Sequence, residues 1–188
     1  MVDASRQAPG RLELVRRFVN SRNIELGSDA FHAASELADW LGEAGLLPTA
    51  ALARQVDLDH AVEVREALRD LLLANLGAVP TPERTVQVLN DALRRSDLRI
   101  SFTADATWTT AAMAPANAVD GAIGELLSVV VEAMADGTWS RLKVCINDGC
   151  RWAFYDHSRA RSGKWCSMGV CGNRVKQRSW RARQASTR

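Results

Sequence analysis

The chain has 188 residues, 47% of them hydrophobic and 24% charged, a composition that excludes disorder as the default and suits one large domain or a domain plus a small module. No apolar run reaches the roughly 18 residues of a membrane span, and residues 1–20 lack the apolar stretch of a secretory signal, so no membrane is expected and the protein is expected to be cytoplasmic. The net charge of +2 conceals a segregation: residues 1–140 hold twelve Arg against twenty Asp and Glu, net −8, and residues 141–188 hold twelve Lys and Arg against two Asp, net +10. Such a split implies a module that meets a polyanion, joined to a body that does not.

In chain order, Leu12, Leu14, Val15, Phe18 and Val19 predict a helix over 12–20. Helical spacing of Phe31, Ala34, Leu37, Ala38 and Leu41 predicts a second over 29–47, capped by Ser28 or Asp29 and ended by Gly42 or Gly45 before Pro48. A third covers 58–76, with Val64, Leu68, Leu71, Leu72 and Leu76 on one side and Gly77 past its end. The next starts with Thr81 as cap, Pro82 in the first helical position and Glu83 against the helix dipole, and buries Val86, Leu89 and Leu93.

The period then changes. Leu98, Ile100 and Phe102 alternate with polar residues, and a turn at 104–106 leads into a second strand, 107–113, forming a hairpin. A last body helix spans 118–135 and closes at Asp136-Gly137. Residues 1–140 therefore read as a mainly helical α+β domain with one β-hairpin. They contain no phosphate-binding glycine loop, no His-Glu-x-x-His pair and no Gly-x-Ser-x-Gly elbow, so no catalytic residue is assigned.

All four cysteines lie in the last 44 residues, as Cys145-x4-Cys150, fifteen residues, then Cys166-x4-Cys171. In a reducing compartment this is a metal pattern rather than a disulfide framework. Two close pairs brought together by the intervening chain can surround zinc tetrahedrally, and four protein ligands leave no open position, which makes the Zn2+ structural. Asn147-Asp148-Gly149 is a turn between segments 142–144 and 152–155 that can pair as strands. Ser167 can cap a helix that carries Cys171. Knuckle, hairpin and helix in this order make a treble-clef finger over residues 141–188.

The stretch CINDGCRWAFYDHSRARSGKWCSMGVCGNRVKQRSWRAR closely resembles the CGNR-type zinc finger, whose tetrapeptide stands here as Cys171-Gly172-Asn173-Arg174. In bacterial proteins described as stress-induced transcription regulators, that finger follows an ABATE domain. Residues 12–140 resemble this domain in order and length, with Phe18-Val19-Asn20 and Trp40-Leu41 followed by Gly45-Leu46-Leu47 matching its motifs, although Arg17 stands where its pattern has an acidic residue. The resemblance implies a zinc site made by Cys145, Cys150, Cys166 and Cys171 and a role in binding DNA.

The residues that would serve DNA are Arg174, Lys176, Arg178, Arg181 and Arg183, with Arg159, Arg161 and Lys164 in the preceding loop. On one helix over 167–183, Arg174, Arg178 and Arg181 share a face, and no acidic residue follows Asp156 to neutralise it. Trp152 and Phe154 are expected in the finger's core; Trp180 stands beside the basic face. Asn20, Arg22 and Trp40 are a candidate pocket for a small-molecule effector, set against ordinary core and cap duties, and the body is a candidate sensor or homodimerisation unit. Two other readings stay open: a finger that docks on an acidic protein, and a small-molecule-binding body that the finger only stabilises.

Overall fold

The computed structural model describes residues 6–48, 51–77, 80–115, 118–174 and 176–177. Helix α1 (Leu12–Val19) turns Leu12, Val15, Phe18 and Val19 inward. It is followed by a hairpin of two short strands, β1 (Arg22–Asn23) and β2 (Ser28–Asp29), paired antiparallel. This hairpin stands where the sequence predicts the start of a helix. Asp29 does not cap; its carboxylate takes two hydrogen bonds of 2.7 Å from Arg65. Helix α2 (Ala34–Glu43) instead begins where the Glu36 carboxylate accepts the backbone N–H groups of His32 and Ala33.

Helix α3 (Gln55–Ala74) starts three residues before the predicted boundary, because Asp57 reaches back to the Arg54 N–H at 2.8 Å and caps the first turn. Helix α4 (Glu83–Arg95) has Pro82 as its cap rather than its first helical residue. Its inward stripe is also rotated from the expected one. Thr85 donates to Asp70 of α3 at 3.0 Å, so Thr85 and Ala92 are buried, Leu89 and Leu93 pack against the core, and Val86 faces solvent.

Strands β3 (Leu98–Phe102) and β4 (Trp108–Ala112) form the expected hairpin, with Leu98 opposite Ala112 and Phe102 opposite Trp108. The alternation does not bury both apolar strands, however: Phe102 is 90% exposed and Ile100 also faces solvent. Strand β4 lies on helix α5 (Val119–Ala135), and the approach is closest at Gly124, where an added Cβ would sit 2.6 Å from Ala112 Cβ and 2.5 Å from Ser96 Cβ. Neither neighbour is the end of a flexible side chain. Gly124→Ala is therefore expected to push the hairpin off α5 and cost about 1–3 kcal/mol, read as a lower urea midpoint with an unchanged slope.

Beyond α5 a single 3-10 turn (Trp139–Arg141) leads into β5 (Leu142–Val144), which pairs antiparallel with β6 (Ala153–Tyr155). Val15, Phe18, Val19, Leu37, Leu41, Val64, Leu68, Leu72, Ile123 and Leu126 form a solvent-free core, and Leu142, Val144 and Ala153 belong to that same core. Strand β5 packs on α3 and β6 on α1. Asn75, just past α3, donates to the carbonyls of Trp139 and Leu142. The architecture is thus mixed α+β, with one apolar interior running from the helical region into the cysteine-bearing hairpin. Among the described residues no helix is long and apolar enough to cross a membrane.

Candidate metal centre and nucleic-acid interface

The β5–β6 ladder extends one pair further, Cys145 N–H donating to the Trp152 carbonyl at 2.9 Å. Between them the Asn147 carbonyl accepts the N–H groups of Cys150 and Arg151, at 2.8 and 3.0 Å, and Arg151 takes a left-handed φ of 49°. This tight knuckle turns both cysteines to one side. Ile146 N–H then donates to Lys164 O at 2.9 Å, which holds the third segment beside the knuckle and delivers Cys166. Ser167 is extended at the cap position but its hydroxyl makes no cap bond. The helix opens instead as one π-helical turn, Met168–Gly172, closed by Gly172 N–H to Ser167 O at 3.1 Å; it carries Cys171 and continues in α conformation through Asn173 and Arg174.

The four sulfurs converge, all within 4.8 Å of one another. Cys150 and Cys166 Sγ are 3.6 Å apart and Cys166 and Cys171 Sγ 3.7 Å, close to the about 3.8 Å edge of a tetrahedron drawn with Zn–S bonds of about 2.3 Å. Cys145, Cys150 and Cys171 are buried, and Trp152 and Trp165 pack over the cluster. Asn147 Nδ2 points at Cys171 Sγ from 3.9 Å, an N–H donor for a sulfur that carries charge. Left to themselves the sulfurs compete: hydrogen bonds from Cys150 and Cys166 pull the Cys145 thiol far down, and facing that thiolate pushes Cys150 and Cys166 up. Four thiolates at this separation need a cation among them. The donor set and its spacing fit a soft or borderline divalent ion and suit a closed, structural site.

The hairpin is fixed to the helical body by polar groups as well as by the core. Asn20, the cap of α1, behaves like a strand residue against β6: its Nδ2 donates to Ala153 O at 2.9 Å and its Oδ1 accepts Ala153 N–H at 2.7 Å. Arg69 of α3 is buried and donates to Glu66 at 2.9 Å, to Val19 O at 2.6 Å and, in the knuckle itself, to Arg151 O at 2.9 Å. One guanidinium ties α1, α3 and the metal knuckle. Neither Asn20 in this role nor Arg69 is visible in the sequence pattern; a mid-helix arginine at an inward position is the sole hint.

The loop 157–164 is organised from beneath by Lys143 and Asp156, both buried. Lys143 Nζ donates to Asp156 at 2.9 Å and to Arg161 O at 2.5 Å, while Asp156 accepts the N–H of Ser158 at 3.1 Å and of Gly163 at 2.7 Å. A Cβ on Gly163 would collide with that carboxylate at 2.8 Å. Burial alone would raise the Asp156 pKa, but the bonds from Ser158, Lys143 and Gly163 hold it well below the usual carboxylate range. A depressed folded-state value means that the contribution is complete above the ordinary Asp pKa, about 3.9, and is lost as pH falls through the lower folded value. Asp156→Asn, which keeps the shape but not the charge, is expected to cost about 1–3 kcal/mol at neutral pH and to speed hydrogen exchange of the Gly163 amide.

Arg159, Arg161, Lys164, Arg174 and Lys176 are all exposed, the first three on this braced loop. Arg174 ion-pairs with Glu25. Arg178, Trp180, Arg181 and Arg183, and with them the second part of the expected helix over 167–183, lie outside the described residues. The three candidate effector residues are taken up by separate contacts: Asn20 by Ala153, Arg22 by Glu66 at 3.8 Å, and Trp40 by the rings of Phe18 and Phe31, with Arg17 over its face. His157, between the cysteine pairs, meets Gln7 O at 2.8 Å instead of the sulfur cluster.

Residues 12–137 match the family model ABATE, described as "Putative stress-induced transcription regulator", and residues 141–184 match the CGNR zinc finger. No curated protein matches the chain significantly.

Proposed function

The chain belongs to the ABATE family and carries a CGNR zinc finger behind that domain, and from this membership we propose that it regulates transcription by binding duplex DNA through the finger. The observation that carries the reading is the sulfur cluster at the very start of the terminal helix. Cys145, Cys150, Cys166 and Cys171 would hold a structural Zn2+, which supplies folding energy and leaves no position for a reacting molecule. The protein's own residues do the rest. Cys171 fixes where the helix begins, so Arg174 and Lys176 leave it in a set direction, and the Lys143–Asp156 pair braces the loop that offers Arg159, Arg161 and Lys164.

These side chains suit a phosphate backbone, and arginine also suits the paired acceptors of a guanine edge. With no acidic residue beyond Asp156, their field is not cancelled from within the segment. The acidic body would keep nucleic acid off its own surface, and its role is that of a sensor or a dimerisation unit, since one finger contacts too few base pairs for specificity alone.

The test is substitution of Arg159, Arg161, Arg174 and Lys176 by Ala, singly and together, in the zinc-loaded full chain. Each residue that meets phosphate is expected to lower the slope of log affinity against log salt by about 0.9, with zinc content unchanged. Unchanged affinity in the fourfold variant would refute the assignment.

A further inference from the structure

We infer that Glu25 is an internal competitor for the finger's leading arginine, so that the body holds Arg174 until a phosphate displaces the carboxylate. The inference rests on the DNA-binding reading above and concerns one contact: the Arg174 guanidinium donates to Glu25, across 149 positions of sequence and from the helical body to the finger.

Glu25 stands on a clamped hairpin, and Arg174 is set by the cysteine cluster once it holds its metal. Glu25 sits on the turn between β1 and β2, closed by Leu26 N–H to Asn23 Oδ1 and by Gly27 at φ 66°. The base of the hairpin is clamped by Ala30 N–H to Ser21 O at 2.8 Å and by the paired bonds from buried Arg65 to Asp29. On the other side, Arg174 follows Cys171 by less than one turn, and the knuckle facing that cysteine is tied by Arg69, whose guanidinium also reaches Arg22 O of β1. The two supports are therefore joined through the same side chain. An ion pair held between supports of this kind loses less side-chain entropy than one between two free chains.

The contact is also placed where it can be exchanged. Arg174 and Glu25 are partly exposed, so an incoming anion can reach the guanidinium without unfolding anything. A phosphate that does so must replace a carboxylate and leaves Glu25 as a nearby negative charge. Both effects oppose binding.

Glu25→Gln removes the charge, keeps the size and touches no cysteine. In the zinc-loaded full chain it is expected to tighten duplex binding about two- to fivefold at low salt, the range of a partly exposed ion pair, and to make Arg174 react faster with phenylglyoxal, an arginine-selective dicarbonyl, as followed by peptide mass spectrometry without DNA. Equal or weaker DNA binding by Glu25→Gln, when the parent binds, would overturn the competitor role and leave Glu25 a positioning residue. If neither protein binds duplex, the DNA reading fails and the latch is decided by chemistry alone: faster modification of Arg174 supports it, an unchanged rate overturns it.

Discussion

Cys171→Ser is expected to leave the chain without its metal and to free the helix start while most of the body stays folded. Wild-type protein should carry one zinc per chain by elemental analysis; the variant should lose zinc affinity by more than the about 10–100-fold attached to removal of a mere supporting partner, because a hydroxyl replaces a charged ligand. The two halves of the site do not depend on the metal equally. Cys145 and Cys150 sit in a knuckle whose strands share the body core and whose carbonyl is held by Arg69. The turn that carries Cys171 has less support: its neighbours Met168 and Val170 are exposed, and its backbone bonds stay within the turn, Gly172 N–H to Ser167 O and Asn173 N–H to Met168 O. Structural zinc brings about 10–16 kcal/mol in small fingers, far more than this turn could supply. Far-UV circular dichroism should therefore change little, while hydrogen exchange over 164–174 becomes fast and duplex affinity falls to that of an unstructured basic segment.

Arg69→Ala should strongly destabilise the body. The guanidinium is buried, and burial lowers its pKa against the pull of Glu66, but arginine keeps its charge in folded proteins. Truncation would orphan Val19 O and Arg151 O, while Glu66 keeps Arg65 and Arg22. Leaving two carbonyls without their donor costs about 1–3 kcal/mol each, a large share of the about 5–15 kcal/mol that keeps a domain folded. Asn20→Ala, by comparison, removes two bonds to Ala153 and should cost about 1–3 kcal/mol. Equilibrium unfolding in urea separates the two. If Arg69→Ala were as stable as the parent, the finger would not be braced by α3 in the way described.

Much of this was legible in the sequence where one period dominates. The spacing of Val64, Leu68 and Leu72 and of Ile123, Leu126 and Val130 locates α3 and α5, and the spacing of the cysteines anticipates their convergence, because these patterns repeat within one element. The β1–β2 hairpin was not legible: its two-residue strands have no alternation, and it is held by Arg65, which lies 36 positions beyond Asp29. The rotation of α4 escaped for the same reason. Thr85 looks polar and Val86 apolar, yet Asp70 on the facing helix rewards burying the threonine. The docking of the finger depends on side chains reaching backbone carbonyls, namely Asn20 to Ala153, Arg69 to Arg151 and Asn75 to Leu142, and carbonyls carry no sequence signature. The Phe18-Val19-Asn20 motif gains its physical reason only here, with two residues filling the core and the third completing the edge of a strand 133 positions away.

In the proposed function, metal held by four cysteines directs a basic helix start onto nucleic acid. Duplex-binding isotherms of the zinc-loaded full chain, taken between about 50 and 200 mM salt with and without a zinc chelator, test it most directly. Binding that is tight at low salt, falls linearly on a log–log plot and weakens sharply when zinc is withdrawn is the predicted result. Absence of binding at the lowest salt, or binding indifferent to the chelator, would contradict it.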